Sequence, residues 1–258
     1  MEYQTLKFES QGPIGVLTLN RPERMNAINY EMRDELREFF NQRLKDTETR
    51  VLVLTGAGKG FCSGLDIKDS KITSPENNYT PKLAYELQQL FSDIIVFMRR
   101  CPQPIIAAIN GASVGAGLSI AMACDIRLAA PEAKFCAAYI NIGTGGADMG
   151  SSWLFTRAVG MGNAARYLLT GDFFSAEEAL RIHFVQGIFP KDQLFDEAMK
   201  IAKNMTTKSA LGLRLTKECL NQNMGAASLE DAVRLEDRNQ ALCIAQLAMG
   251  AAAAKKNQ

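Results

Sequence analysis

One histidine, His183, serves the whole chain of 258 residues. A Ser-His-Asp hydrolase would therefore have only His183 as its base. The six cysteines, Cys62, Cys101, Cys124, Cys136, Cys219 and Cys243, form no Cys-x-x-Cys pair and have no histidine-rich partner segment. That excludes the usual zinc and redox spacings, so no metal site is expected, and reduced thiols in a cytoplasmic protein are the simplest reading. Charge of one sign is also missing, with 29 basic against 28 acidic residues. Such balance gives no electrostatic footprint for nucleic acid or a membrane surface. No apolar run reaches the roughly 20 residues of a membrane span. The opening Met-Glu-Tyr-Gln-Thr-Leu-Lys lacks the basic-then-apolar layout of a signal peptide.

What is present is strand and helix in alternation. Leu6 to Ser10 and Ile14 to Asn20, separated by Gly12-Pro13, read as an N-terminal hairpin that Arg21-Pro22 stops. Helical spacing runs from Tyr30 to about residue 45, and Val51 to Thr55 is a buried-type strand. A polar loop at Pro75 to Asn78 precedes a predicted helix from Lys82 to Arg100, which Pro102 and Pro104 end. Ile105 to Ile109 predicts a strand, Val114 to Cys124 a helix rich in small residues, and Ile126 to Ala129 another strand. This order argues for right-handed βαβ units in an α/β core of residues 1–190. Beyond about residue 150 the chain reads as helical, with Ser175 and Glu178 as a capping box and Val185 to Ile188 the one evident strand. Residues 191–258 read as a C-terminal helical region.

Two strand-to-helix junctions carry small residues where backbone must approach something closely. They are Lys59-Gly60-Phe61-Cys62-Ser63-Gly64-Leu65-Asp66 and Asn110-Gly111-Ala112-Ser113-Val114-Gly115-Ala116-Gly117. Free N–H groups at such junctions donate to a developing oxyanion, and the second is reinforced by a helix N-terminus. Glycines there also serve tight turns and close packing. Their occurrence at matching places in successive units favours the oxyanion reading. Neither junction has the Gly-Lys-Ser/Thr run of a phosphate loop.

The same residues carry a resemblance. Leu19-Asn20-Arg21-Pro22, Met25-Asn26-Ala27-Ile28, Phe61 to Ile67, Pro104 to Gly111, Cys124-Asp125-Ile126-Arg127 and Leu169 to Asp172 with Ser175-Ala176 together resemble the crotonase (enoyl-CoA hydratase/isomerase) superfamily. The resemblance covers about residues 5 to 245. It implies a crotonase-like spiral of ββα repeats with a C-terminal helical trimerisation region, assembling as a homotrimer or a dimer of trimers. It implies an acyl-CoA substrate, with coenzyme A part of the substrate and no separate cofactor. The thioester oxygen is then expected on the N–H groups of Ser63 and Ala116. Met25, Ala27, Ser63, Gly64, Leu65 and Asp66 are expected to line the coenzyme A pocket, and Arg24 to meet its phosphates.

The chain departs from the family where hydratases keep two glutamates, at positions held here by Ser119 and Tyr139. Neither is a carboxylate; both are retained as substrate-contacting candidates. Asp148, in Gly143-Thr144-Gly145-Gly146-Ala147-Asp148-Met149-Gly150, falls about where dienoyl-CoA isomerases of the superfamily carry an aspartate. A carboxylate in an apolar pocket can act as acid or base near neutrality, so Asp148 is the catalytic candidate. Its alternative role is capping a helix that begins near Met149. For Asp66, fixing the oxyanion turn is the expected role. His183 is expected to be partly buried and non-catalytic. The expected reaction is hydration, dehydration or double-bond isomerisation of an acyl-CoA through an enolate, in fatty-acid or related metabolism. The alternative is a homologue that binds acyl-CoA with lost or altered chemistry.

Overall fold

Strands with apolar residues on both faces build the centre of the molecule. A computed structural model describes residues 3–69 and 80–256; the polar loop expected at Pro75 to Asn78 lies outside the described residues. Gly12, at φ 61°, turns β1 (Leu6–Gln11) antiparallel onto β2 (Ile14–Leu19). Then β3 (Val51–Gly56), β4 (Ile105–Ile109), β6 (Ile126–Ala129) and β9 (Gly187–Ile188) add in parallel, giving the order β1-β2-β3-β4-β6-β9.

Alternation along each strand divides the apolar residues between two layers. Leu52 and Leu54 face α1 (Tyr30–Arg43) and α2 (Pro81–Arg100), packing in one core with Met32, Leu36, Phe39, Ile94 and Met98. Val51 and Val53 face the other way, onto Leu194, Ala198, Met199 and Ala202 of α7 (Lys191–Thr206). The i, i+4, i+8 spacing of Leu194, Ala198 and Ala202 makes α7 an amphipathic cover for the sheet. The C-terminal region therefore begins with a helix that belongs to the sheet's packing. Beyond it, α8 (Ala210–Asn223) is held to the core by buried Lys217, whose Nζ lies 2.9 Å from Asp125 and donates to Gln103 O at 2.8 Å.

Several expectations are corrected. The segment 114–124 is not all helix: β5 (Ser113–Val114) occupies its start and α3 spans Ala116–Ala123. The ladder to β7 (Lys134–Cys136) holds β5 extended, with β8 (Phe173–Ser175) on the other side of β7. Both β7 and β8 are three residues long, too short for an alternation to be visible. They are secured by aromatic packing, Phe135 stacking on Phe174 at 5.2 Å and meeting Phe184 edge-on at 5.3 Å. Val185 is buried but outside β9. The helix expected near Met149 starts at Ser151, giving α4 (Ser151–Val159), because Met149 and Gly150 both take positive φ (44° and 76°). After α5 (Met161–Thr170), Ser175 accepts from Glu178 N and caps α6 (Ala176–Arg181). Glu178 does not complete the capping box; its carboxylate binds Arg181 and Tyr167 instead. His183 is exposed, at φ 63°, rather than partly buried. No described helix is long and apolar enough to cross a membrane.

The two junctions noted in the sequence pack backbone to backbone. Cys62 bridges Ser113, Phe61 N and Cys62 N donate to Ala112 O, and Val114 N donates to Cys62 O. A Cβ on Gly117 would stand 2.2 Å from Cys62 O. Gly117→Ala is therefore expected to lower stability by more than about 2 kcal/mol. Gly162, in α5 with nothing within 4 Å of its added Cβ, is the counter-case: Gly162→Ala should raise stability by up to about 1 kcal/mol. Urea melts of both variants check the pair.

Candidate active site

Asn26 organises the first junction. It is fully buried at φ 55°, accepts from Arg21 N at 2.9 Å, and donates to Ala57 O and Gly60 O, each at 2.9 Å, and to Phe61 O at 3.2 Å. Asparagine suits this place because it tolerates the left-handed region and supplies both donor and acceptor. Beside it, Ile28 N donates to Gly64 O at 2.7 Å and Asp66 N to Ile28 O at 2.9 Å, fixing residues 63–66 against the Met25–Ile28 turn. Asp66 is 4% exposed and paired with Arg21 at 3.0 Å and Arg24 at 2.7 Å. Burial works against its charge, but the bonds from Arg24 and Arg21 prevail and hold its carboxyl below the ordinary range. Asp66 thus locks the turn to two arginines.

These elements wall a cavity of about 950 Å³. Arg24, Met25, Ala27, Ser63, Gly64, Leu65, Asp66, Ala116, Tyr139 and Asp148 all line it. Ser119 does not: it is fully buried, and its hydroxyl is tied to Tyr139, so its placement as a substrate contact is corrected. Helix α2 contributes Ala84, Leu87, Gln88 and Phe91, none anticipated from the sequence. Their i, i+3, i+4, i+7 spacing is a helix face, and Gln88 is its polar member. Tyr30, its ring 6.1 Å from that of Phe91, adds a second aromatic wall.

The two anticipated oxyanion donors differ in state. Ala116 opens α3, so its N–H has no intrahelical acceptor, and none faces it among the described residues. Gly115 before it takes φ 51°, ψ −122°. Ser63 N–H, by contrast, donates to Met25 O at 3.0 Å. Cys62 between them is not a nucleophile: burial pushes its thiol up to about 12.

Asp148 does not cap α4 through its side chain. Its Oδ1 accepts from Gln88 Nε2 at 2.5 Å and Met149 N at 2.6 Å, while Oδ2 has no partner among the described residues. Burial raises its carboxyl above the ordinary range, only partly offset by the Met149 N–H. Ser119 Oγ and Tyr139 Oη form a hydroxyl pair, with Tyr139 donating to Gly115 O at 2.8 Å. The Asp148 carboxylate and the Ala116 N–H, unpartnered among the described residues, line one cavity and are suited to proton transfer beside a polarised carbonyl.

The comparisons show the family. The family model described as enoyl-CoA hydratase/isomerase matches residues 9–256, and the chain belongs to that family. A protein named probable enoyl-CoA hydratase in Mycobacterium bovis is 43% identical over 228 residues, covering 88% of this chain and 80% of its own. The 1,2-epoxyphenylacetyl-CoA isomerase of Escherichia coli is 36% identical over 207 residues, covering 80% and 77%. The crystal structure of a probable enoyl-CoA hydratase/isomerase from Mycobacterium abscessus superposes with a TM-score of 0.84 at 36% identity, covering 93% of this chain and 90% of that one. The α/β fold with its parallel sheet is accordingly the crotonase fold, and the chain is an enzyme of the hydratase/isomerase type.

Burial, set against the two contacts on Oδ1, gives a titration prediction. The Asp148 carboxyl should titrate above the ordinary value of about 3.9, as read from its side-chain carbon resonance. Gln88→Leu should raise the midpoint further, because the lost amide N–H favours the ionised form.

Proposed function

We propose that this enzyme moves a double bond in an enoyl-CoA thioester, with Asp148 carrying the proton and the enolate oxygen resting on backbone N–H groups. The observation that carries the reading is the Asp148 carboxylate: it lines the cavity with Oδ2 unpartnered among the described residues, while Ser119 and Tyr139 stand where the family resemblance puts the hydratase glutamates. Isomerisation needs one group to remove a proton from one carbon and return it to another. Adding water across a double bond by the two-glutamate route needs a pair of carboxylates. In this reading Ala116 N–H is the ready donor to the thioester oxygen. Ser63 N–H is the second, won from Met25 O when substrate enters. The apolar wall of Leu87, Phe91 and Tyr30 is assigned to the acyl group, and Arg24 at the rim to coenzyme A phosphates. No cofactor besides the coenzyme A of the substrate enters this scheme.

Assembly as a homotrimer or dimer of trimers, with residues 191–258 as the oligomerisation region attached to the 1–190 core, is part of the proposal. It is supported by α9 (Leu229–Lys256), which exposes Leu242, Ile244, Leu247 and Met249 by 50% to 73%. The six unpaired thiols suit a reducing, cytoplasmic setting.

With 3-enoyl-, 2-enoyl- and dienoyl-CoA panels, double-bond migration is expected and hydration is not. Asp148→Asn should lower kcat about 10²- to 10⁴-fold. The wild-type rate should fall as pH drops through the raised Asp148 pKa, because the base must be ionised. Tight acyl-CoA binding without turnover across the panel would instead establish a binding protein, and an unchanged rate in Asp148→Asn would remove Asp148 from the mechanism. Light scattering at micromolar protein should give three or six times the chain mass.

A further inference from the structure

The residues at the lost glutamate positions are still wired to the site. Gly115 C=O and Ala116 N–H belong to one peptide group, and Tyr139 Oη donates to that carbonyl at 2.8 Å. A carbonyl only accepts, so the phenol's single proton is spent there. Ser119, which also has one proton, then donates to Tyr139 Oη, with a longer approach to Asp148 O at 3.4 Å. Both hydroxyls are buried. Gly115 is held on its other side by its own N–H donating to Cys136 O at 2.9 Å, and its carbonyl also accepts from Ser119 N at 3.1 Å.

We infer that Ser119 and Tyr139 form a relay of hydrogen bonds that polarises the Gly115–Ala116 peptide and so strengthens and aims the Ala116 N–H as an oxyanion donor. The inference rests on the proposed oxyanion hole and extends it. Donation to a peptide oxygen draws electron density away from its nitrogen, which makes the N–H on the far side a better donor. The effect is largest away from bulk water, and Ser119 and Tyr139 are 0% and 5% exposed. Gly115 at φ 51°, ψ −122° sets the peptide plane, and the two hydrogen bonds its carbonyl accepts, from Tyr139 Oη and Ser119 N, keep it from rotating. Tyr139 and Ser119 are thus positioning residues: they touch the peptide that would hold the substrate oxygen and exchange no proton with the substrate.

The test is the carbonyl stretch of a bound, isotope-labelled acyl-CoA thioester, read by infrared difference spectroscopy alongside kinetics. Wild type should shift the stretch to lower frequency on binding. Tyr139→Phe should show a smaller shift and a kcat lower by roughly three- to tenfold, with acyl-CoA affinity and the pH profile unchanged. Ser119→Ala, which keeps the Tyr139 bond to Gly115 O, should give a smaller change in the same direction and serves where Tyr139→Phe folds poorly. A wild-type shift that both variants retain in full would overturn the relay while leaving the oxyanion hole standing. A displaced acid limb in Tyr139→Phe would also overturn it, by making the phenol a proton carrier. No shift in wild type on binding would overturn the oxyanion reading itself, and the relay with it.

Discussion

Everything at the site depends on two backbone segments lying closer together than side chains would permit. Gly117 sits over Cys62 O, Gly111 over Lys59 O, and Gly64 faces Val114 O, with added Cβ atoms falling 2.1 to 2.8 Å from those oxygens. The close approach lets Cys62 pair with Ser113 and brings the turn after β3 beside the start of α3. Two N–H groups from different βα units thereby share one cavity wall, Ser63 and Ala116 both lining it. Neither unit alone would make such a wall. Asn26 and Asp66 act on the same contact from the outer side, the first by tying three carbonyls together and the second by anchoring Arg21 and Arg24.

The central sheet and the long helices were legible because their signals are long and repeated. Val51 to Thr55 and Ile105 to Ile109 are uninterrupted apolar runs, and α1 and α2 carry several turns of helical spacing. What escaped was short or decided by distant partners. Ser113–Val114 sits at the head of a helix-like stretch, yet pairing with β7 draws it into a strand. Lys134–Cys136 and Phe173–Ser175 offer three residues each, so only the aromatic cluster of Phe135, Phe155, Phe174 and Phe184 reveals why they pair. Tertiary contact outweighs local propensity in such segments.

The cavity was legible on one side only. Residues 24–27 and 63–66 were placed on it because they sit in turns that glycines and Asn26 make recognisable, and the structure puts Met25, Ala27, Ser63 and Leu65 there. Gln88 and Phe91 went unread, since a helix face reports that it is buried without reporting against what. Ser119 was misplaced for a related reason: a residue one turn into α3 is near the cavity, but Tyr139 stands between them. The engagement of Ser63 N–H by Met25 O lies beyond any sequence pattern, because it depends on the left-handed Met25 and Asn26 (φ 52° and 55°).

The hydroxyl pair of Ser119 and Tyr139 also bears on the electrostatics of the cavity. Two buried glutamates would repel each other and would have to share a proton or draw in a counter-charge. Ser119 and Tyr139 carry hydroxyls instead, and burial raises the Tyr139 phenol above its ordinary value. A protonated phenol is a donor, and its one proton goes to Gly115 O at 2.8 Å. Asp148 lines the cavity together with Glu23 and Asp66 and, unlike Asp66, has no arginine partner among the described residues. Burial is the dominant influence on its titration. In the proposed mechanism Ser119 and Tyr139 thus hold one peptide in place, and proton transfer falls to Asp148.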